Sequence, residues 1–456
     1  MVDINPPNIG ARLDRLPNSG WHIKMWLVTA FALLVCWSNG IGGSVQNILL
    51  NELHWLKPGT ALLAMWSTTY TIGQLLGALI GGPIGDKIGR KKSILLYEIF
   101  HIVAMIGAAV SPNIEILYVF RLLQGIGLGA LLVVLFAGFT EYVPGRNRGT
   151  WSSRTSFIGN WAHPVCNGVA LLVFATGVSM QMNWRIQFAI PSVLSIIASF
   201  FVYLKFPESP RWLESQGRYK EADDIMTNIE NEIEISTGKS LPPVTEAPKE
   251  VKNLPYSALF KGKLLRRTIV GSLVLIGMNT IQYTLMNWMP SMLSNLGYDV
   301  SQSQFMTMFG LFGAPFGIFI ASLIMDKFSR KKMGVFLLFG MAILGFITSK
   351  QTTMLSLIIS TFLLNTIIYM YVCYASAVYV PEMWPTSAKL SGSGFSNAMG
   401  RLSNVFFPFL VTYVASSVGT SGVFVLISIV ALIIALGIIF LGFDTKGESV
   451  ENIGDV

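Results

Sequence analysis

The chain is 456 residues long and only 12% of them are charged, against roughly 25% in a soluble domain. With 52% hydrophobic residues and a mean hydropathy of +0.57, it is neither a soluble globular protein nor a disordered chain, which needs high charge and few apolar side chains. The net charge of +8 is not a nucleic-acid signal, because its meaning lies in how Lys and Arg are shared among loops between apolar runs.

Twelve apolar runs follow one another along the chain. The first six start near Met25, Thr60, Ser93, Ile116, Arg154 and Ile186, and the next six near Thr268, Gln304, Met333, Thr353, Ala388 and Ser421. Each is long enough to cross a bilayer, which takes about 20 apolar residues. The expected fold is an all-α membrane protein with twelve transmembrane helices in two pseudo-symmetric six-helix bundles, residues 1–205 and 268–456. Between them lies a polar insert, 206–267. Within it Glu214 to Glu234 predicts one or two amphipathic helices, with Ile225, Ile229 and Ile233 at helical spacing. Leu241 to Pro255, rich in proline and charge, predicts a flexible link. The run from Met25 is too long for a cleaved leader. The three cysteines, Cys36, Cys166 and Cys373, all fall in apolar runs, so no disulfide framework is readable.

Of the 32 Lys and Arg residues, only Lys57, Arg185 and Lys350 fall in loops on one side; Arg121 and Arg401 fall within spans, and all the others lie on the opposite side. The positive-inside rule places both termini and the insert in the cytoplasm, in a bacterial inner membrane.

The chain repeats itself. Asp86-Lys87-Ile88-Gly89-Arg90-Lys91-Lys92 follows span two, and Asp326-Lys327-Phe328-Ser329-Arg330-Lys331-Lys332 follows span eight, 240 positions later. Glu141-x-x-Pro144 follows span four, and Glu382-x-x-Pro385 follows span ten, 241 positions later. Two halves in parallel orientation are the architecture of many secondary transporters, with the substrate site between the halves near the midplane.

These residues also resemble a known family. Gly82-x-x-x-Asp86-Lys87-x-Gly89-Arg90-Lys91 is similar to the signature loop of the major facilitator superfamily. Pro207-Glu208-Ser209-Pro210-Arg211-Trp212-Leu213 resembles its sugar-porter and organic-ion branch, as do Pro381-Glu382-x-x-Pro385-Thr386, Arg121-x-x-x-Gly125-x-Gly127, Trp184-Arg185 and the tail Thr445-Lys446-Gly447. The resemblance implies a transporter working by alternating access. It also implies that Asp86, Arg90, Glu141, Arg146, Arg148, Asp326, Arg330 and Glu382 form a charge network that latches the cytoplasmic side. There are departures. Asn39 stands before Gly40, where proton-coupled members often carry an acid. In span seven Gln282 and Asn287 keep the mutual spacing of the family's glutamine motif, yet counted from Pro290 the glutamine falls on Met278. Hexose specificity is therefore not carried over.

The candidate substrate contacts are Arg401, Asn39, Gln46, Gln124, Asn160, Gln282, Asn287, Trp288, Tyr369, Tyr374 and Asn397. Arg401 sits thirteen residues into span eleven, roughly 20 Å deep, where a guanidinium costs at least about 2.5–3.5 kcal/mol to insert. It is a candidate clamp for a carboxylate, which its planar fork binds bidentately; the alternative is a strut to helix carbonyls. The coupling candidates are Glu98, His101, His163 and Arg121. Glu98 and His101 are one helical turn apart on span three and face one direction, either as proton carriers or as a structural group with Arg154. His163 and Arg121 have alternative readings as helix braces.

The expected function is secondary active or facilitative transport of a small polar metabolite, an organic acid or a sugar-like molecule. A drug or waste exporter of the same fold and a non-transporting nutrient sensor are the alternatives. No enzyme, cofactor or metal is expected, since no nucleophile elbow, phosphate loop or metal-spaced His/Cys set occurs. The expected partners are the substrate, a coupling proton and the lipid bilayer, with no nucleic acid, for a chain acting as a monomer.

Overall fold

The computed structural model describes residues 8–33, 37–144, 148–244, 255–384 and 388–445. In chain order the helices are α1 (Ile9–Asp14), α2 (Gly20–Leu33), α3 (Trp37–Asn51), α4 (Ala61–Ile88), α5 (Arg90–Ala109), α6 (Ile114–Thr140), α7 (Arg148–Ala175), α8 (Met180–Lys205), α9 (Pro210–Ser215) and α10 (Tyr219–Thr237). Then follow α11 (Gly262–Ser294), α12 (Val300–Leu311), α13 (Gly313–Ile324), α14 (Arg330–Ser349), α15 (Met354–Cys373), α16 (Val380–Glu382), α17 (Lys389–Ser417) and α18 (Thr420–Leu441). A π-helical turn, Tyr374–Tyr379, joins α15 to α16. Helices dominate because a bilayer offers no water to backbone N–H and C=O groups, so each span must satisfy its own.

Among the described residues, 9 helical stretches are long and apolar enough to cross a membrane. They are spans three to ten and span twelve. The α2–α3 pair, α4 and α17 complete the twelve-helix fold. α2 and α3 are each short, 14 and 15 residues, and α4 and α17 carry Ser, Thr, Asn, Gln and Gly among their apolar residues. The chain forms two compact units, one of Met1–Cys36, Ile72–Gly159 and Phe188–Glu250, the other of Trp37–Thr71, Asn160–Gln187 and Val251–Val456. Each unit thus draws on separate stretches of sequence.

In the first unit α4 crosses α6 at backbone contact. A Cβ on Gly73 would strike the Leu122 carbonyl oxygen, and one on Gly77 that of Ile126. In the second unit α13 crosses α15 in the same way: Gly313 abuts the Phe362 carbonyl and Gly317 that of Thr366. All four positions of the second crossing stand 240 residues after those of the first, the offset of the repeated loops. Small residues bring membrane helices close enough for dispersion contacts that lipid cannot match.

The insert forms α9 and α10, as the pattern predicts. Its buried face is Ala222, Met226, Ile229 and Ile233; Ile225 lies only half-buried at its edge. The link that follows falls largely outside the described residues. Within the first unit α10 is clamped by α1. Arg12 reaches Glu230 at 2.7 Å and Asp223 at 2.5 Å, and Arg15 reaches the other Glu230 oxygen at 2.6 Å. Burial alone would push the Glu230 carboxyl up, but hydrogen bonds from Arg12 and Arg15 outweigh it and hold the group below its ordinary value.

Two outcomes are expected. Gly77→Leu and Gly317→Leu should each abolish recovery of folded protein by size exclusion, because a backbone carbonyl cannot yield and overpacking costs about 1–3 kcal/mol or more. Gly82→Ala, with nothing within 4 Å of the new methyl, should behave as wild type. For the clamp, a carboxyl whose folded pKa is depressed stabilises fully above its unfolded value and loses that contribution as pH falls through the folded one. Hydrogen exchange of α10 should therefore stay slow down to about pH 4 and accelerate below it. In Glu230→Gln it should be fast already at neutral pH, each charged hydrogen bond being worth about 1.5–3 kcal/mol.

Candidate functional site

The predicted network residues meet at two equivalent places. In the first unit Arg90 opens α5 just after Gly89, whose φ is +98°. Its guanidinium spans Asp86 at 2.7 Å and Glu141 at 2.8 Å. The Arg90 backbone N–H donates to Glu208 at 2.6 Å and that of Lys91 to the same oxygen at 3.2 Å. A carboxylate is thus placed on the positive end of α5, and a Cβ at Gly89 would collide with it. Trp212 donates to the Asp86 carbonyl at 2.7 Å, and Tyr142 to that of Pro207 at 2.8 Å.

In the second unit Arg330 opens α14. It grips Glu382 bidentately at 2.9 Å through Nε and Nη2, and its backbone N–H donates to Asp444 at 2.9 Å. Thr445 donates to Glu382 at 2.8 Å, and Tyr379 to the Phe443 carbonyl at 2.9 Å. Asp444 is thus to α14 what Glu208 is to α5. Neither was among the candidate residues. The signal was present, since both lie in segments quoted for or adjoining the family motifs, but nothing in spacing tells which helix end a distant carboxylate will reach. Arg146 and the side chains of Asn39, Arg148 and Asp326 lie outside the described residues.

A second constellation is buried in the first unit, where Glu98, His101, Arg121 and Gln124 are each at most 1% exposed. Arg121 Nη1 donates to Gln124 Oε1 at 2.8 Å, and His101 Nδ1 meets the Gln124 carbonyl oxygen at 3.1 Å. Neither carboxyl oxygen of Glu98 has a hydrogen-bond partner, nor has His101 Nε2. The expected group with Arg154 does not form: Arg154 lies over the Trp151 ring, 4.8 Å from its centroid.

The second unit gathers a polar seam. His163 on α7 packs on Tyr369 of α15, centroids 5.7 Å apart. One turn along α7, Asn167 accepts from Gln304 of α12 at 2.5 Å; this pair was not foreseen. Gln46 on α3 is fully buried with both ends of its amide unpaired. Asn287 and Trp288 of α11 share a narrow cavity with Ser67 of α4 and Asn404 of α17. Gln282 and Asn160 are half-buried. Arg401, one turn from Asn404, is half-buried and, among the described residues, has no hydrogen bond or ion pair. Two candidates lie apart from this seam. Tyr374 is stacked on Tyr379, centroids 5.1 Å apart, with its hydroxyl over Gly334. Asn397 is exposed and bonded to the Ser393 carbonyl of its own helix at 3.0 Å.

In this geometry charged clusters cap helix ends, and the spans hold buried polar groups. Comparison with known proteins shows the family. Residues 27–456 match the family model described as sugar (and other) transporter. The chain is 39% identical to the inner membrane metabolite transport protein YdjE of Escherichia coli (strain K12), over 98% of this chain and 98% of that one. It is 26% identical to the niacin transporter NiaP of Acinetobacter baylyi, over 97% and 99%. Among solved structures, the partially occluded inward-open xylose transporter XylE from E. coli superposes with a TM-score of 0.76, covering 94% of this chain and 100% of that one at 18% identity. The chain therefore belongs to the sugar (and other) transporter family, a multi-pass membrane protein that transports a small metabolite and is not an enzyme.

Proposed function

We propose that the substrate is a small organic acid, taken across the bacterial inner membrane together with a proton. The observation that carries this reading is Arg401, half-buried in span eleven with no counter-charge among the described residues. An intramembrane guanidinium is costly and calls for an anion; a substrate carboxylate supplies one with matching bidentate geometry. Asn404 and Asn287 on the same seam offer neutral hydrogen bonds to the rest of the molecule. A relative named as a niacin transporter supports an acid, while a structural neighbour named for xylose supports the second reading, a neutral sugar. The moving bodies are the sequence halves 1–205 and 268–456, with 206–267 and both termini in the cytoplasm, and the working form is a monomer. Gln46, Asn160, Gln282, Trp288 and Tyr369 are the further contacts of this reading. The arginine–carboxylate clusters at Arg90 and Arg330 are its cytoplasmic latch.

Nicotinate and D-xylose serve as probes. In proteoliposomes, Arg401→Lys is expected to raise the apparent KM for nicotinate by about tenfold, the worth of one charge-assisted hydrogen bond, and to leave D-xylose unaffected. Uptake of D-xylose alone, insensitive to Arg401→Lys, refutes the acid and leaves the sugar.

The latch is tested by Asp86→Asn, which removes one arm of the Arg90 cluster while Glu141 and Glu208 remain. Transport is expected to slow, with little loss of folded protein, and cysteine labelling of cytoplasmic positions is expected to increase. Unchanged transport and labelling count against the latch.

A further inference from the structure

Most buried polar groups of the spans are satisfied locally. Ser93 and Ser111 donate to carbonyls four residues back, at 2.6 and 2.9 Å. Glu98 is the exception with the greatest cost. It is fully buried, lies in the middle of α5, and neither oxygen has a hydrogen-bond partner. Ser199 of α8 is a polar neighbour, and its hydroxyl is bonded to the Ser195 carbonyl of its own helix at 2.9 Å. An ionised carboxyl buried without a donor or cation is far more expensive than a neutral one, so the surroundings fit Glu98 in its protonated form.

Among the described residues, few charged or titratable groups stand near it. On α5 itself His101 lies one turn on, and Tyr97 adjoins, its hydroxyl directed to the Gly81 carbonyl at 3.3 Å. From α6 comes Arg121, which faces His101 and Tyr118 and is engaged with Gln124. From α8 there is Ser199. The Gln124 carbonyl can only accept, so His101 Nδ1 must carry the hydrogen; Nε2 is then a bare acceptor, buried and unpaired. An acid with its proton and a base without one thus stand on the same face of α5, one turn apart.

We propose that Glu98, held as a neutral carboxylic acid, carries the coupled proton of this transporter, and that His101, fixed as the Nδ1–H tautomer by Gln124, is the acceptor through which that proton leaves. The proton passes from a Glu98 oxygen to His101 Nε2 and from there to water on the side to which the protein is open. The carboxylate left behind needs a positive partner. Arg121, on the adjoining helix, becomes that partner only if α5 and α6 readjust, so protonation state and conformation are tied together. This places coupling in span three, away from Asn39 in span one and from His163, whose neighbour is the Tyr369 ring rather than an acid. The proposal rests on the transport reading above and on its proton.

The test separates exchange from net movement. Proteoliposomes with the wild-type chain or Glu98→Gln, a neutral isostere of the protonated acid, are assayed for nicotinate and D-xylose counterflow and for accumulation driven by a pH gradient. Glu98→Gln is expected to retain counterflow within about twofold and to lose gradient-driven accumulation by about tenfold or more. Accumulation that survives in Glu98→Gln overturns the proposal. So does wild-type accumulation indifferent to the gradient while counterflow is intact. An infrared spectrum of wild type minus Glu98→Gln near neutral pH reads the carboxyl without any substrate: the carbonyl stretch of a neutral acid is expected, and its absence overturns the proposal. Should the wild type counterflow neither probe while that band is present, the substrate reading fails and the assignment of the neutral acid stands.

Discussion

Two helices can touch backbone to backbone only where neither presents a side chain, and this steric condition organises the molecule. Inside a bilayer there is no hydrophobic force to press helices together, since lipid tails are as apolar as leucine. Contact must come from close fit. Gly73 and Gly77 let α4 rest on the carbonyls of α6, and Gly313 and Gly317 do the same for α13 on α15. Gly129 adds a reciprocal approach, set against the Gln74 backbone. Once these crossings are fixed, the ends of the crossing helices are fixed too. The loops after α4 and α13 then deliver Arg90 and Arg330 to carboxylates that arrive from far along the chain, Glu141 and Glu208 in one unit, Glu382 and Asp444 in the other.

Within that frame the buried polar groups are satisfied in more than one way. Short hydroxyls bend back on their own helix: Thr71 to Ser67, Thr284 to Thr280 and Thr412 to Pro408. Such back-bonding removes the penalty of burial without recruiting a neighbour. Some longer side chains do the same, Asn279 to Leu275, Asn365 to Thr361 and Asn397 to Ser393, and Arg121 bonds Gln124 of its own helix. Asn167 and Gln304 instead find each other across helices. Gln46 and Glu98 find none. In a protein that must change conformation while carrying cargo, unmet hydrogen-bonding capacity is a reserve that a ligand, a proton or the alternate conformation can draw on.

Much of the architecture was legible because membrane helices are specified by long-range simple patterns: apolar runs of fixed length and loop motifs at a constant offset. The amphipathic α10 followed from isoleucine spacing. The Arg90 and Arg330 clusters were legible from repeated acid–base spacing. Partners that depend on tertiary placement were not. Glu208 and Asp444 sit in segments read only as family markers, and their role as caps emerges only when a helix start is brought beside them. Tyr374 looked like a cavity residue from its place in span ten, but the stacking that holds it against Tyr379 is set by local helix geometry. The pairing of Asn167 with Gln304 joins residues 137 apart, which no periodicity encodes. Glu98 was singled out as an acid within a span; that it would be left without any donor was a property of the packing.

The two repeat offsets differ by one residue, and the π-helical turn accounts for it. Up to Thr366 the second half runs 240 positions behind the first, as at Ile126, but Glu382 trails Glu141 by 241. The additional residue therefore lies between Thr366 and Glu382, in the stretch that contains the Tyr374–Tyr379 turn. A π-bulge is how an α-helix swallows a single insertion without unravelling. Had the helix stayed regular, the insertion would have swung everything after it by about 100°, turning Glu382 away from Arg330. Absorbed as a bulge, it leaves that ion pair in register. The stacked tyrosines thus sit in the one stretch where the second repeat carries a residue more than the first.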